Sequence, residues 1–84
     1  MSNLEEAVKI KEGTTVKSII SCDGLHKLTR DKSYTVNSVT PLFRTGPPDY
    51  VSKNSQAGSL CNVEFGITDD RGAAMDVSYV NFYW

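Results

Sequence analysis

The fold is decided by a stretch that reads CNVEFGITDDRGAAMDV at residues 61–77. Its first eight residues alternate between apolar and polar side chains, which is typical of a strand with one buried face. The letters DDRG at residues 69–72 are those of a tight turn. Residues 73–77 return as a partner strand, with Met75 and Val77 facing inward. The stretch therefore predicts an antiparallel hairpin that covers a core with its apolar face.

Shorter strand signals flank this hairpin on both sides. Eight Val, four Ile and seven Thr stand against only four Ala, a balance that favours strands over helices. Further strands are predicted at residues 14–20, 33–39 and 82–84, with a turn at residues 22–24 and a 3₁₀ turn at residues 78–81. Five short strands in so short a chain predict an all-β domain, built as a small, partly closed antiparallel barrel.

Two segments lie outside this pattern. Residues 1–12 predict a tail or one short helix, because Ser2 and Glu5 have the spacing of a capping box. Residues 40–59 contain all three prolines of the chain and show no periodicity, which predicts a long loop between the second and third strands. The 84 residues suffice for one core, so residues 13–84 are expected to form a single domain.

Three motifs resemble those of a known group of proteins. Residues 10–19 read IKEGTTVKSI, residues 28–36 read LTRDKSYTV and residues 69–82 read DDRGAAMDVSYVNF. The first resembles the opening strand of SH3-like barrels, and the other two resemble segments of many small bacteriophage-encoded proteins with that fold. The resemblance implies a five-stranded SH3-like barrel, a phage origin and loops that bind something, but no catalytic residue. Asp31 departs from the pattern, since a turn glycine is usual at its position.

The predicted loop carries the candidate binding residues. Its aromatic side chains have little local core to cover them, and exposed aromatics anchor many protein interfaces. Together with this loop, the phage resemblance implies a non-enzymatic protein that binds a host bacterial protein in the host-cell cytoplasm. The alternative is that these aromatics fold back onto the barrel. The last tryptophan either contacts the partner or caps the barrel end. The candidate partner-binding residues are Phe43, Arg44, Pro47, Pro48, Asp49, Tyr50 and Trp84.

Two other functions stay open on the sequence. Small barrels also bind nucleic acid through aromatic platforms and basic grooves. The residues that fit such a site are Lys27, Arg30, Lys32 and Tyr34. Nine basic and ten acidic residues give a net charge of −1, and acidic residues are interleaved with the basic ones, so a mixed-charge surface is favoured over a nucleic-acid site. The second function that the sequence leaves open is a structural role, as a self-associating or virion-associated domain. In that role the chain could form a homo-oligomer.

The residues best suited to catalysis are Cys22, Asp23 and His26. A Cys–His pair can activate a thiolate, and Cys61 could join these residues in a metal site. Structural metal sites normally carry a Cys-x-x-Cys pair, which is absent from the sequence, and Cys61 belongs to an apolar series. We therefore expect an exposed turn with free thiols, no enzymatic activity, no metal and no cofactor. The polar start and the lack of a long apolar run predict neither a signal peptide nor a membrane helix.

Overall fold

The computed structural model describes residues 3–24, 26–45, 50–53 and 58–84 of the chain. Within them, one helix precedes nine short strands. The helix is α1 (Leu4–Lys9), and the strands are β1 (Thr15–Ser18), β2 (Cys22–Asp23), β3 (Lys27–Leu28), β4 (Ser33–Thr35), β5 (Ser38–Thr45), β6 (Tyr50–Ser52), β7 (Ser59–Thr68), β8 (Ala74–Ser78) and β9 (Phe82–Tyr83). A 3₁₀ turn, Tyr79–Asn81, separates β8 from β9. The chain is therefore mostly β, as predicted.

The strands form three antiparallel sheets, in the orders β4–β1–β9, β2–β3 and β6–β5–β7–β8. In the first sheet, Lys17 of β1 lies opposite Ser33 of β4 on one side and Tyr83 of β9 on the other. The first strand of the chain thus lies between an early strand and the last one. The larger sheet curls around the core as a half-barrel.

The chain passes from the first sheet to the larger one through two residues. Val36 and Asn37 separate β4 from β5. The N–H of Val36 donates to the carbonyl of Thr14, next to β1, and the N–H of Asn37 donates to the carbonyl of Gly66 in β7. One continuous segment therefore belongs to both sheets, and it holds their apolar faces against each other.

The two sheets and the helix share one core. At its centre, the ring of Phe82 meets the rings of Phe65 and Tyr34 at centroid distances of 6.1 and 6.4 Å. The buried apolar residues are Ala7, Val16, Leu28, Tyr34, Val36, Val63, Phe65, Ile67, Val77 and Phe82. They come from both sheets, the β2–β3 hairpin and α1, so a single apolar cluster joins every layer of the domain.

The hairpin predicted from residues 61–77 is confirmed. β7 and β8 pair from Glu64 opposite Ser78 to Thr68 opposite Ala74. In the neighbouring strand β5, the hydroxyl of Ser38 lies so close to Gly66 that a side-chain Cβ at residue 66 would overlap it. Glycine at this position therefore leaves room for the Ser38 side chain.

The long loop predicted over residues 40–59 is wrong at both of its ends. β5 continues to Thr45, β6 occupies three residues inside the predicted loop, and β7 already begins at Ser59. Pro41 lies within β5, opposite Val63. Among the described residues, β5 pairs at Pro41 with β7, and its pairing with β6 covers residues 43–45. A strand tolerates proline where no ladder hydrogen bond needs the N–H group of that residue.

The N-terminal residues form a helix rather than a tail. Its N-cap is Asn3, whose Oδ1 accepts a hydrogen bond from the N–H of Glu6 at 2.8 Å. The predicted cap, Ser2, lies outside the described residues. Ala7 is fully buried and Leu4 packs against the core, so docking stabilises a helix too short to persist alone. Within the described ranges, no helix is long and apolar enough to cross a membrane.

Asp31, which stands where the resemblance expects glycine, adopts a left-handed backbone conformation with φ of 64°. Glycine favours this region, and aspartate is among the few other residues that enter it readily. The carboxylate Oδ1 of Asp31 also accepts a hydrogen bond from the hydroxyl of Tyr83 at 3.1 Å. The turn before β4 therefore keeps the conformation that a glycine would provide and gains a link to β9.

Candidate functional site

Three of the predicted partner-binding residues, Phe43, Arg44 and Tyr50, lie on one part of the larger sheet, which we call the arm: residues 43–45 of β5 together with β6. In the arm, Phe43 lies opposite Ser52, Arg44 opposite Val51 and Thr45 opposite Tyr50. A bulge between Leu42 and Phe43 shifts the register of β5 against β7 where the arm begins. Pro47, Pro48 and Asp49 lie outside the described residues.

The described side chains of the arm do not join the core. Arg44 is exposed, Val51 is 52% exposed and Phe43 is half-buried. Apolar residues just before and after the arm, Val39 and Leu60, pack against the core, but none of the described arm side chains does. Since paired residues share a face of the sheet, Arg44 and Val51 project on one side and Phe43 on the other. The arm thus carries apolar surface that the core does not use.

Trp84, the remaining predicted partner contact, lies on the first sheet and not on the arm. Its ring meets Phe65 edge-on at a centroid distance of 5.7 Å, and the side chain is half-buried against the core. Together with Thr15, Lys17 and Tyr83 it lines a shallow cavity of about 360 Å³. Trp84 therefore packs against the core, and its role as a partner contact or as a structural cap stays a prediction.

Tyr34 is a core residue and only 5% exposed, so it offers no open aromatic platform to the alternative nucleic-acid site. Its hydroxyl donates to Asp70 Oδ1 at 3.0 Å and accepts from the N–H of Thr29 at 2.8 Å. Lys32 lies 5.7 Å from the centroid of the same ring, and its Nζ pairs with Asp70 at 2.5 Å. Neither the ring of Tyr34 nor the charge of Lys32 is free for a nucleic acid.

The other two basic candidates do not complete a groove. The Nε of Arg30 donates to the carbonyl of Ile19 at 3.1 Å, which fixes the guanidinium against the backbone. Lys27 is exposed, and in the described part of the chain it forms no ion pair. One unpaired lysine is far from the basic footprint that nucleic-acid binding requires.

Asp69, in the turn between β7 and β8, is a buried residue that sequence analysis assigned only to a polar turn. Its side chain is fully buried. Oδ1 accepts hydrogen bonds from the N–H groups of Ala73 at 2.8 Å and Arg71 at 3.0 Å, and Oδ2 accepts from the N–H of Lys27 at 3.1 Å. These bonds, that from Ala73 foremost, lower the pKa of Asp69. Asp69 therefore joins the β7–β8 turn to the β2–β3 hairpin.

Asp70 makes a second set of links from the same turn. Its carboxylate accepts from Lys32 Nζ at 2.5 Å, Thr29 Oγ1 at 2.7 Å and the hydroxyl of Tyr34 at 3.0 Å. These bonds, with that from Lys32 the largest cause, lower the pKa of Asp70 from 3.8 to about 2. Two of the four residues considered for nucleic-acid binding, Lys32 and Tyr34, thus link this turn to the first sheet and the segment before it.

We expect the protein to lose stability as the pH falls from about 4 to about 2. Because the folded-state pKa of Asp70 lies below its ordinary 3.8, the contribution of the carboxylate is complete above that pH and disappears as it is protonated near 2. The midpoint of thermal unfolding, measured by circular dichroism from pH 5 to pH 2, should fall less in Asp70→Asn than in the wild type. Parallel falls in both proteins would contradict this assignment.

Comparisons with known proteins give no match. No protein-family model matches the chain, and neither a curated protein nor a solved structure matches it. The function is therefore inferred from the arrangement of the chain's own residues.

The three residues considered for catalysis lie on or beside the β2–β3 hairpin. The thiol of Cys22 donates to the carbonyl of His26 at 3.6 Å, and the carboxylate of Asp23 accepts from Arg71 Nη2 at 2.7 Å. The imidazole Nδ1 of His26 faces Asp69 Oδ2 at 3.6 Å. The thiol is thus bonded to the backbone of His26, not to its ring. Both cysteines are free, and the described residues contain no group of three His, Cys, Asp or Glu that could hold a metal ion.

Proposed function

We propose that this chain is a non-enzymatic, phage-encoded binding protein that engages a host bacterial protein in the host cytoplasm through its arm. The observation that carries the proposal is the apolar surface of the arm, where Val51 is 52% exposed and Phe43 lies outside the core. Arg44 is exposed beside Val51. Aromatic and arginine side chains are enriched at protein interfaces, so this combination suits a protein partner.

We further propose that the domain is a five-stranded SH3-like barrel, as the sequence motifs imply. Its five strands would be β1, β4 continued by β5, β7, β8 and β9, with β2–β3 and β6 belonging to the connections. The pairing of β1 with β9 supports this grouping, because it joins the first and last strands of the series. The 3₁₀ turn between β8 and β9 also supports it, since the predicted barrel places such a turn before its last strand.

The arm is well suited to binding because it is continuous with the barrel. β5 runs without interruption from the core into the arm, and Arg44 is paired on both sides, with Val51 in β6 and Ser59 in β7. A partner therefore meets a backbone that is already ordered, which lowers the entropy cost of association.

Charge reversal at matched positions tests the role of the arm. The tagged wild type, Arg44→Glu and Lys27→Glu would be incubated with bacterial lysate, and retained proteins identified by mass spectrometry. Both variants make the same change of charge at an exposed residue, one on the arm and one on the β2–β3 hairpin. We expect one dominant host protein to be retained by the wild type and by Lys27→Glu. Its affinity for Arg44→Glu, measured by calorimetry with purified components, should be weaker by about tenfold or more.

A third variant, with residues 47–49 replaced by Gly-Ser-Gly, tests the candidate residues that lie between β5 and β6 in the sequence, without removing either strand. We expect it to lose the same host protein, since it removes two candidate prolines and Asp49 together. Equal retention by all variants would contradict the proposed site. Retention that is lost only in Lys27→Glu would move the binding surface to the β2–β3 hairpin.

A further inference from the structure

The outer strand β8 of the larger sheet ends that sheet on the side away from the arm. An edge strand presents backbone N–H and carbonyl groups that can pair with a strand from another protein. β8 has five residues, whereas the edge strands β4 and β9 of the first sheet have three and two. β8 therefore offers more backbone for such pairing than either edge of the first sheet.

The ladder between β7 and β8 determines which backbone groups of β8 point outward. The N–H of Asp69 donates to the carbonyl of Ala73 at 2.9 Å, so residues 69 and 73 form a hydrogen-bonded pair of this ladder. Hydrogen-bonded and non-hydrogen-bonded pairs alternate along antiparallel strands. Ala74 and Asp76 therefore direct their N–H and carbonyl groups away from β7. Within the described ranges, none of these four groups has a hydrogen-bond partner.

This open edge has a defined end. The carbonyl of Ser78 accepts a hydrogen bond from Asn81 Nδ2 at 3.3 Å, in the 3₁₀ turn that follows β8. The outer side of β4 differs, because side-chain links from Asn37 to Thr68 and from Lys32 to Asp70 join that strand to the region around the β7–β8 turn. An added strand can therefore lie along β8, from the β7–β8 turn to the 3₁₀ turn, without displacing any contact of the described residues.

The outer face of the sheet beside this edge is acidic. Asp76 is exposed at the centre of β8, and Glu64 lies on the same face in β7, opposite Ser78. Neither carboxylate forms an ion pair with a described residue. Two copies of the chain paired symmetrically about Asp76 would set two carboxylates opposite each other, which is destabilising. The edge therefore disfavours a second copy and favours a strand that carries positive charge.

The other face of β8 is apolar. Met75 packs against the core and is half-buried, and Val77 is only 9% exposed. Because paired residues share a face of a sheet, an added strand places two residues beside Met75 and Val77 and the residue between them beside Asp76. A strand with a basic residue between two apolar ones is therefore complementary to β8.

We propose that the outer edge of β8 binds an extended segment of another protein, which pairs antiparallel with residues 74–78 and carries a lysine or arginine opposite Asp76, between two apolar residues. The outward backbone groups of Ala74 and Asp76 supply the hydrogen bonds, and the carboxylate of Asp76 selects a basic segment. β8 and the arm lie at opposite edges of the larger sheet. The two binding sites are therefore independent, and this one stands whether or not the arm binds a host protein.

Nuclear magnetic resonance of the ¹⁵N-labelled protein tests the site. The probe is a blocked five-residue peptide that alternates lysine and valine and has lysine at both ends. We expect the amide resonances of Ala74 and Asp76 to shift and their hydrogen exchange to slow, with a dissociation constant near 1 mM, to order of magnitude. The same peptide with glutamate in place of lysine should bind about tenfold more weakly.

Two protein variants test the role of the charge. Asp76→Lys should reverse the preference, so that the glutamate peptide binds about tenfold more tightly than the lysine peptide. Glu12→Lys makes the same change of charge at an exposed residue outside the strands, and it should keep the preference of the wild type. Circular dichroism of both variants confirms that the fold is retained.

Two methylated peptides test the strand pairing on the wild type itself. In the proposed register, the amide N–H of the central lysine faces β8 and that of each valine faces away. Methylation of the nitrogen of the central lysine should weaken binding by about tenfold, whereas methylation at one valine should change it by less than about threefold.

Four results would overturn the proposal. Unshifted resonances of Ala74 and Asp76 at about 10 mM lysine peptide exclude the site. Equal weakening by the two methylated peptides excludes the strand pairing. A preference for lysine that survives in Asp76→Lys shows that Asp76 does not select the segment. Self-association of Asp76→Val, with a wild type that binds no peptide, would leave Asp76 only the role of keeping this edge unpaired.

Discussion

Phe82→Ala is expected to lower the free energy of unfolding by about 3–5 kcal/mol, the usual cost of removing a buried phenylalanine. The side chain is fully buried and contacts the rings of Phe65 and Tyr34 from the two larger sheets. Its loss leaves a cavity where those sheets meet. A chain of 84 residues has a total stability of about 4–12 kcal/mol, so the variant retains little margin. Urea unfolding followed by circular dichroism measures the difference.

Phe43→Ala is the matched control, because it removes the same side chain from the arm. Phe43 is half-buried and does not belong to the core, so its removal should cost less than half as much as that of Phe82. Equal losses in the two variants would show that the arm is part of the core. That result would also remove the main support for the arm as a binding surface.

Asp69→Ala is expected to lower the midpoint of thermal unfolding by about 10 °C or more. The buried carboxylate accepts three backbone hydrogen bonds, and alanine leaves the N–H groups of Lys27, Arg71 and Ala73 without this acceptor. Two of those bonds close the β7–β8 turn, and the third connects it to the β2–β3 hairpin. Differential scanning calorimetry would report the loss.

Two variants separate the hydrogen bonds of Asp69 from its charge and from general surface effects. Asp69→Asn keeps one side-chain oxygen as an acceptor and should fall between the wild type and the alanine variant. Asp23→Ala removes an exposed carboxylate that pairs with Arg71, and its midpoint should change little. A larger loss in Asp23→Ala than in Asp69→Ala would mean that the exposed ion pair, not the buried carboxylate, holds the turn.

The parts of the fold that the sequence predicted are those in which neighbours in the chain are neighbours in space. The alternation of apolar and polar residues over 61–68, followed by turn residues at 69–72, is enough to predict the β7–β8 hairpin. The short helix and the 3₁₀ turn are local in the same way. Each of these elements forms hydrogen bonds within a few residues, so composition and spacing are sufficient to predict them.

The sequence interpretation failed where a residue's environment is set by a partner that is distant in the sequence. Pro41 was interpreted as a residue that breaks a strand, yet it lies within β5, with Val63 of β7 opposite it. Tyr34 was weighed as part of the alternative nucleic-acid site, yet its hydroxyl donates to Asp70 and its ring lies in the core. At the candidate site, the sequence singled out Phe43, Arg44 and Tyr50 within a loop, but their places on two paired strands follow only from the structure. No local pattern carries that information.

The position of β1 between β4 and β9 also sets an order of events during synthesis on the ribosome. Residue 17 leaves the exit tunnel early, but its partner at residue 83 does not exist until nearly the whole described chain has been made. The strands β7 and β8 are near each other in the sequence, so their hairpin can form early. Pairing of β1 with β9 must instead bring together residues that are more than 60 positions apart, which costs more chain entropy. Until then, Phe82 is missing from the centre of the core. The apolar core residues of the nascent chain therefore stay exposed until β9 has been synthesised, and chaperones can bind them during that time.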